Sequence, residues 1–60
     1  MEGEMSARLL LADDHGVVRE GICSMLSDYP EFLVVAEAGD GPQAVELARQ
    51  VQPDVVILDL

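Results

Sequence analysis

Three short apolar runs, none with a polar face, constrain the fold of this chain more than any other feature. Arg8-Leu9-Leu10-Leu11-Ala12 runs into Asp13-Asp14, Phe32-Leu33-Val34-Val35-Ala36 into the turn cluster Ala38-Gly39-Asp40-Gly41, and Asp54-Val55-Val56-Ile57-Leu58 into Asp59. A half-exposed strand alternates apolar and polar residues, whereas an unbroken apolar run belongs to a strand covered on both faces, the situation of parallel sheets. The intervening segments have helical spacing. Val18, Ile22, Met25, Leu26 and Tyr29 share one face of a predicted helix over residues 17–29, which Pro30 ends. Ala44, Leu47, Ala48 and Val51 share one face of a second, which opens at Gly41-Pro42 with proline at its first position and stops before Pro53. This alternation predicts an α/β fold, βαβαβ, with parallel strands and right-handed crossovers.

Composition removes several function classes. With 60 residues and a single cysteine, Cys23, the chain has no internal disulfide to supplement a thin core, and one cysteine and one histidine make no zinc ligand set. Any bound cation is therefore expected to be a hard, oxygen-ligated one. A formal charge of -9, from 12 acidic against 3 basic residues, argues against contact of this segment with nucleic acid or an anionic membrane surface. Met1 to Ala7 has no basic leader region, and Leu9 to Ala12 is too short to span a bilayer, so a cytoplasmic location without membrane contact is expected. Mean hydropathy of +0.25 is too apolar for a disordered chain. Residues 1–7 read as a disordered tail and residues 8–60 as part of one domain. Three parallel strands with two helices leave an edge and part of a face uncovered, so the chain is expected to be half of a doubly wound sheet, truncated after its third strand.

Carboxylates gather where such a sheet binds ligands, outside the carboxyl ends of its strands at the point where crossovers diverge. If the first strand lies between the other two, Asp13 and Asp14 stand beside Asp59. Two full charges about 4 Å apart repel by about 4 kcal/mol at an effective dielectric of 20, so the cluster implies a cation or a raised pKa. Mg²⁺ suits a few carboxylates, waters and a phosphate oxygen, and aspartate is a known phosphoryl nucleophile. Asp13-Asp14-His15-Gly16 also excludes the competing nucleotide folds, because neither Gly-x-Gly-x-x-Gly nor a Walker A loop is present.

LLLADDHGVVREGICSML, VVAEAGDG and QPDVVILDL together resemble the start of the receiver domain of two-component response regulators, particularly the NarL/FixJ type. The resemblance covers Arg8 to Leu60 and implies the flavodoxin-like receiver fold. It further implies Asp59 as the phosphoacceptor for a sensor histidine kinase, Asp14 as a direct Mg²⁺ ligand and Asp13 as its water-mediated or hydrogen-bonding neighbour, with Asp59 completing the metal site. The module is then not an enzyme in its own right but part of a phosphorelay controlling transcription, with DNA bound through a C-terminal domain absent here. The family's backbone-carbonyl metal ligand, switch Ser/Thr, lysine, two strands and three helices would fall beyond Leu60, and a chain without them is expected to be inactive alone. Gly16 stands where many relatives carry proline.

Blander readings stand beside these. Asp13 or Asp14 could cap the following helix, and Asp59 could simply close a strand. His15 is read as a solvated loop residue, Cys23 as a packing residue near the apolar helix face, and Arg19, Glu20, Glu46 and Arg49 as solvated helix charges. A rival class of function is a structural fragment that folds by edge pairing as a homodimer or by domain swapping. An aspartate-using phosphatase would leave the upstream acidic pair without a place.

Overall fold

The computed structural model describes residues 6–59. Its elements are β1 (Ala7–Asp13), α1 (Gly16–Leu26), β2 (Phe32–Ala38), α2 (Gly41–Val51) and β3 (Val55–Asp59), the expected βαβαβ order. The three strands form one parallel sheet in the order β2-β1-β3, so the first strand is indeed central. Residues 1–5 of the expected tail lie outside the described residues, as does Leu60. Ser6 and Ala7 are engaged: Ser6 Oγ donates to Pro30 O at 3.1 Å, and the Ala7 amide donates to Glu31 O at 2.8 Å. The strand therefore begins one residue before the expected boundary.

Central position explains burial. Leu9, Leu10, Leu11, Ala12 and Asp13 are all buried, because β1 is hydrogen-bonded on both sides and covered on both faces. Side chains alternate, so Leu10 and Ala12 face one side and Leu9 and Leu11 the other. Ala12, Ala38 and Ala44 form a small-residue core with Leu47 of α2 packed against it. Ala44, Leu47, Ala48 and Val51 are buried or half-buried in α2, as their spacing predicts, as is Gly41 at its start. Asp40 is the N-cap of α2, its carboxylate accepting from the Gln43 amide at 2.8 Å, and Gln43 Oε1 accepts from the Gly39 amide at 2.6 Å. Gly41 precedes Pro42 inside the helix, so proline sits second and not first. Arg8 ties the far end of the sheet, its Nη1 donating to Gln52 O and its amide to Asp54 Oδ2, each at 2.8 Å.

Helix α1 departs from its expected form in two ways. It ends at Leu26, not Tyr29, since Pro30 removes helical conformations from the residue before it. Tyr29 instead packs edge-on against Phe32, with ring centroids 6.3 Å apart. Its inward stripe is also rotated by about one position: the half-buried residues are Arg19, Ile22, Cys23 and Leu26, while Val18 and Met25 are exposed, Met25 at 58%. Arg19, Ile22, Cys23 and Leu26 have the same three, one, three spacing, with an arginine at the site end of the stripe. No described helix is long and apolar enough to cross a membrane.

Candidate functional site

Parallel pairing delivers the acidic residues to one end of the sheet. Asp13 and Asp59 are direct partners in the β1–β3 register, each the last residue of its strand. Asp13 has no accessible surface, whereas Asp59 is exposed. The Asp13 side chain folds back on the chain that follows it. Its Oδ1 accepts from the His15 amide at 2.7 Å and lies 3.1 Å from His15 Nδ1. This is an aspartate turn, closed two residues on, and it starts α1. His15 is the N-cap residue and contributes no side-chain cap, so neither Asp13 nor Asp14 caps α1 itself.

His15 engages the carboxylates more closely than a solvated loop residue would. Although the ring is 70% exposed, Nδ1 lies 2.8 Å from Asp14 Oδ1 as well as 3.1 Å from Asp13 Oδ1. The hydrogen bond to Asp13 and then the charge of Asp14 hold the imidazole above its ordinary value, with Asp59 adding a smaller pull against partial desolvation. The His15 amide is the main influence holding the Asp13 carboxyl below the usual range; burial opposes it, and the His15 ring and Arg19 reinforce it. Asp13 is out of solvent, yet the hydrogen bonding it receives outweighs desolvation.

Three of the oxygen and nitrogen donors are gathered tightly. Ligand atoms of Asp13, Asp14 and His15 lie within 4.8 Å of one another. Asp59 is brought beside Asp13 by register but stands outside that group, so the expected convergence of three aspartates holds for strand position and not for the closest donor set. The other oxygen of Asp13, Oδ2, is buried and has no hydrogen-bond partner among the described residues. An orphaned carboxylate oxygen on a residue grouped with Asp14, and paired in register with Asp59, is a fit for a divalent cation.

Arg19 is the residue that the reading of solvated helix charges missed. Its Nη1 donates to Asp13 O at 2.6 Å, and its Nε donates to Glu37 Oε1 at 3.3 Å. The signal available in the sequence was its position four residues before Cys23 and seven before Leu26, on the stripe that the sheet covers. Cys23 is half-buried in that stripe, and burial, reinforced by Glu37, pushes its thiol up, away from nucleophilic character.

The chain is similar to known proteins in sequence and fold. The response regulator receiver domain family matches residues 9–60. The nitrate/nitrite response regulator protein NarL of Escherichia coli K12 is 42% identical over 60 residues, covering all of this chain and 28% of that protein. The transcriptional regulatory protein LiaR of Bacillus subtilis is 45% identical over 53 residues, 88% of this chain and 25% of LiaR. A crystal structure of a LuxR-family two-component response regulator from Aurantimonas sp. SI85-9A1 superposes with a TM-score of 0.79 at 45% identity, over 85% of this chain and 36% of that one. The chain thus spans about a quarter to a third of the length of these relatives. Agreement of the family match over nearly every residue with the observed strand order and acidic strand ends places this chain in the response regulator receiver domain family.

Proposed function

We infer that Asp59 accepts a phosphoryl group from a phosphohistidine on a sensor histidine kinase, in a cytoplasmic regulator of transcription whose DNA contacts are made outside these residues. The observation that carries this reading is the register pairing of exposed Asp59 with buried Asp13, whose Oδ2 lacks a partner among the described residues. Exposure gives an incoming kinase imidazole access to Asp59. An Asp59 carboxylate oxygen attacks phosphorus, the phosphorus–nitrogen bond breaks, and the imidazole leaves with the electron pair and takes a proton, giving an acyl phosphate. Asp13, Asp14 and Asp59 would hold Mg²⁺, which when bound offsets the repulsion between the carboxylate and the phosphoryl oxygens. The His15 amide fixes Asp13 in place for this, so the strand end needs little rearrangement.

Borohydride reduction locates the acceptor, because it converts an aspartyl phosphate to homoserine. A receiver carrying these residues, treated with acetyl phosphate and Mg²⁺ and then reduced, is expected to yield homoserine at position 59 by mass spectrometry. Homoserine at another aspartate would overturn the assignment. A second reading, association of two copies through β3, is favoured by exposed Val55, Val56 and Leu58, the last two lining an open groove of about 290 Å³ against α2. It requires a dimer in sedimentation equilibrium that loses helicity on dilution; a folded monomer at every concentration would remove it.

A further inference from the structure

The pairing of β1 with β2 contains an irregularity with a chemical consequence. Leu9 pairs with Val34 but Leu10 pairs with Ala36, so Val35 is an extra residue. A bulge of this kind reverses the alternation of every side chain after it. Without it, Leu11 would pair with Ala36, and Glu37 would face the side where Ala12, Ala38 and Ala44 pack. With it, Glu37 pairs with Leu11 and faces α1, where its carboxylate meets Arg19 Nε at 3.3 Å.

Arg19 then spans the ends of both strands. Its side chain is only 26% exposed, and Nη1 lies 2.6 Å from the Asp13 carbonyl and 3.5 Å from that of Ala38. Those are the last residues of β1 and β2. Arg19 also belongs to the first turn of α1, its amide donating to His15 O at 2.9 Å. One guanidinium therefore connects the end of the central strand, the end of its neighbour and the helix that leaves the acidic turn. A planar, forked donor group is suited to that task, and an ammonium is not.

We propose that Arg19, held in orientation by Glu37, is a positioning residue for the acidic site, fixing the Asp13 main chain and with it the Asp13-Asp14-His15 turn that presents carboxylates to a divalent cation. This rests on the cation-binding reading given above, and its sign is diagnostic. As a bare positive charge, Arg19 would repel a cation, and its removal would tighten binding. As a positioning group, its removal weakens binding despite the lost repulsion.

The test uses Mn²⁺ binding by the 60-residue chain, followed by electron paramagnetic resonance, together with hydrogen exchange of the His15 amide without metal. Arg19→Ala is expected to weaken Mn²⁺ binding about tenfold, the loss typical of groups that orient metal ligands. Arg19→Lys should lose affinity in the same direction and by less, and Glu37→Gln, which keeps an acceptor for Nε, should change it little. His15 amide exchange should accelerate in the same order. Tighter or unchanged Mn²⁺ binding in Arg19→Ala with unchanged His15 exchange would overturn the proposal. If Arg19→Ala fails to fold by circular dichroism, Arg19→Lys decides by the same two criteria. Failure of the unsubstituted chain to bind Mn²⁺ would count against the cation site, while His15 exchange would still decide whether Arg19 holds the turn.

Discussion

Leu10→Ala is expected to leave the chain unfolded at room temperature. Leu10 has no accessible surface, lies in the central strand between Ala36 and Val56, and points toward α2 with Ala44 and Ala48 around it. Truncating a buried leucine costs about 2–5 kcal/mol, through lost transfer energy and the cavity left behind. A single core this small rarely supplies more than about 3–5 kcal/mol of net stability. The accessible surface of 4197 Å² exceeds the roughly 3,800 Å² expected for a compact chain of this mass, so the reserve is thinner still. Leu58→Ala is the control, since Leu58 is 64% exposed in β3 and should cost well under 1 kcal/mol in its present surroundings. Urea titrations followed at 222 nm distinguish the two, and a cooperative transition retained in Leu10→Ala would mean that the core does not centre on β1.

The strands were legible because each is an unbroken apolar run bracketed by turns and prolines, the signature of a parallel strand, although among the described residues only β1 is buried along most of its length. Helix α2 was legible for a related reason: Asp40, Gly41 and Pro42 mark its start, and its buried positions are all apolar. Helix α1 was only partly so. Val18, Met25 and Tyr29 are apolar and periodic yet exposed, while the inward stripe begins with a charged residue. Apolar spacing alone selects the wrong phase of a helix when a long polar side chain such as Arg19 lies under it, covering the sheet with its stem and delivering its charge to the strand ends.

The site divides along the same line. Asp13, Asp14 and Asp59 were legible from their places at strand ends, because register in a parallel sheet follows from which strand is central. The bulge at Val35 was not, since it depends on how β2 meets β1 and leaves no local signature in a run of β-formers. The placement of Glu37 against Arg19 follows from that tertiary detail. His15, exposed as expected, still acquires two carboxylate partners because the aspartate turn carries its ring back over the strand end.

Asp13→Asn should separate folding from function. The substitution keeps an acceptor at Oδ1 for the His15 amide, so the turn and the start of α1 are expected to persist, with circular dichroism unchanged. It removes the charge with which Oδ2 would hold a cation and leaves that position still without a partner among the described residues. For the unsubstituted chain, Mg²⁺ at ten times a dissociation constant should stabilise folding by about 1.4 kcal/mol, because it binds the folded state alone. Asp13→Asn should abolish that increment. In a receiver carrying these residues, the same change should slow phosphoryl acceptance by acetyl phosphate by about a hundredfold or more, the scale on which removing one fixed electrostatic contact affects transfer chemistry. The two readouts need each other. A slow variant that still gained stability from Mg²⁺ would show that Asp13 serves the reaction without holding the metal, and the cation would then have to be assigned to Asp14 and Asp59.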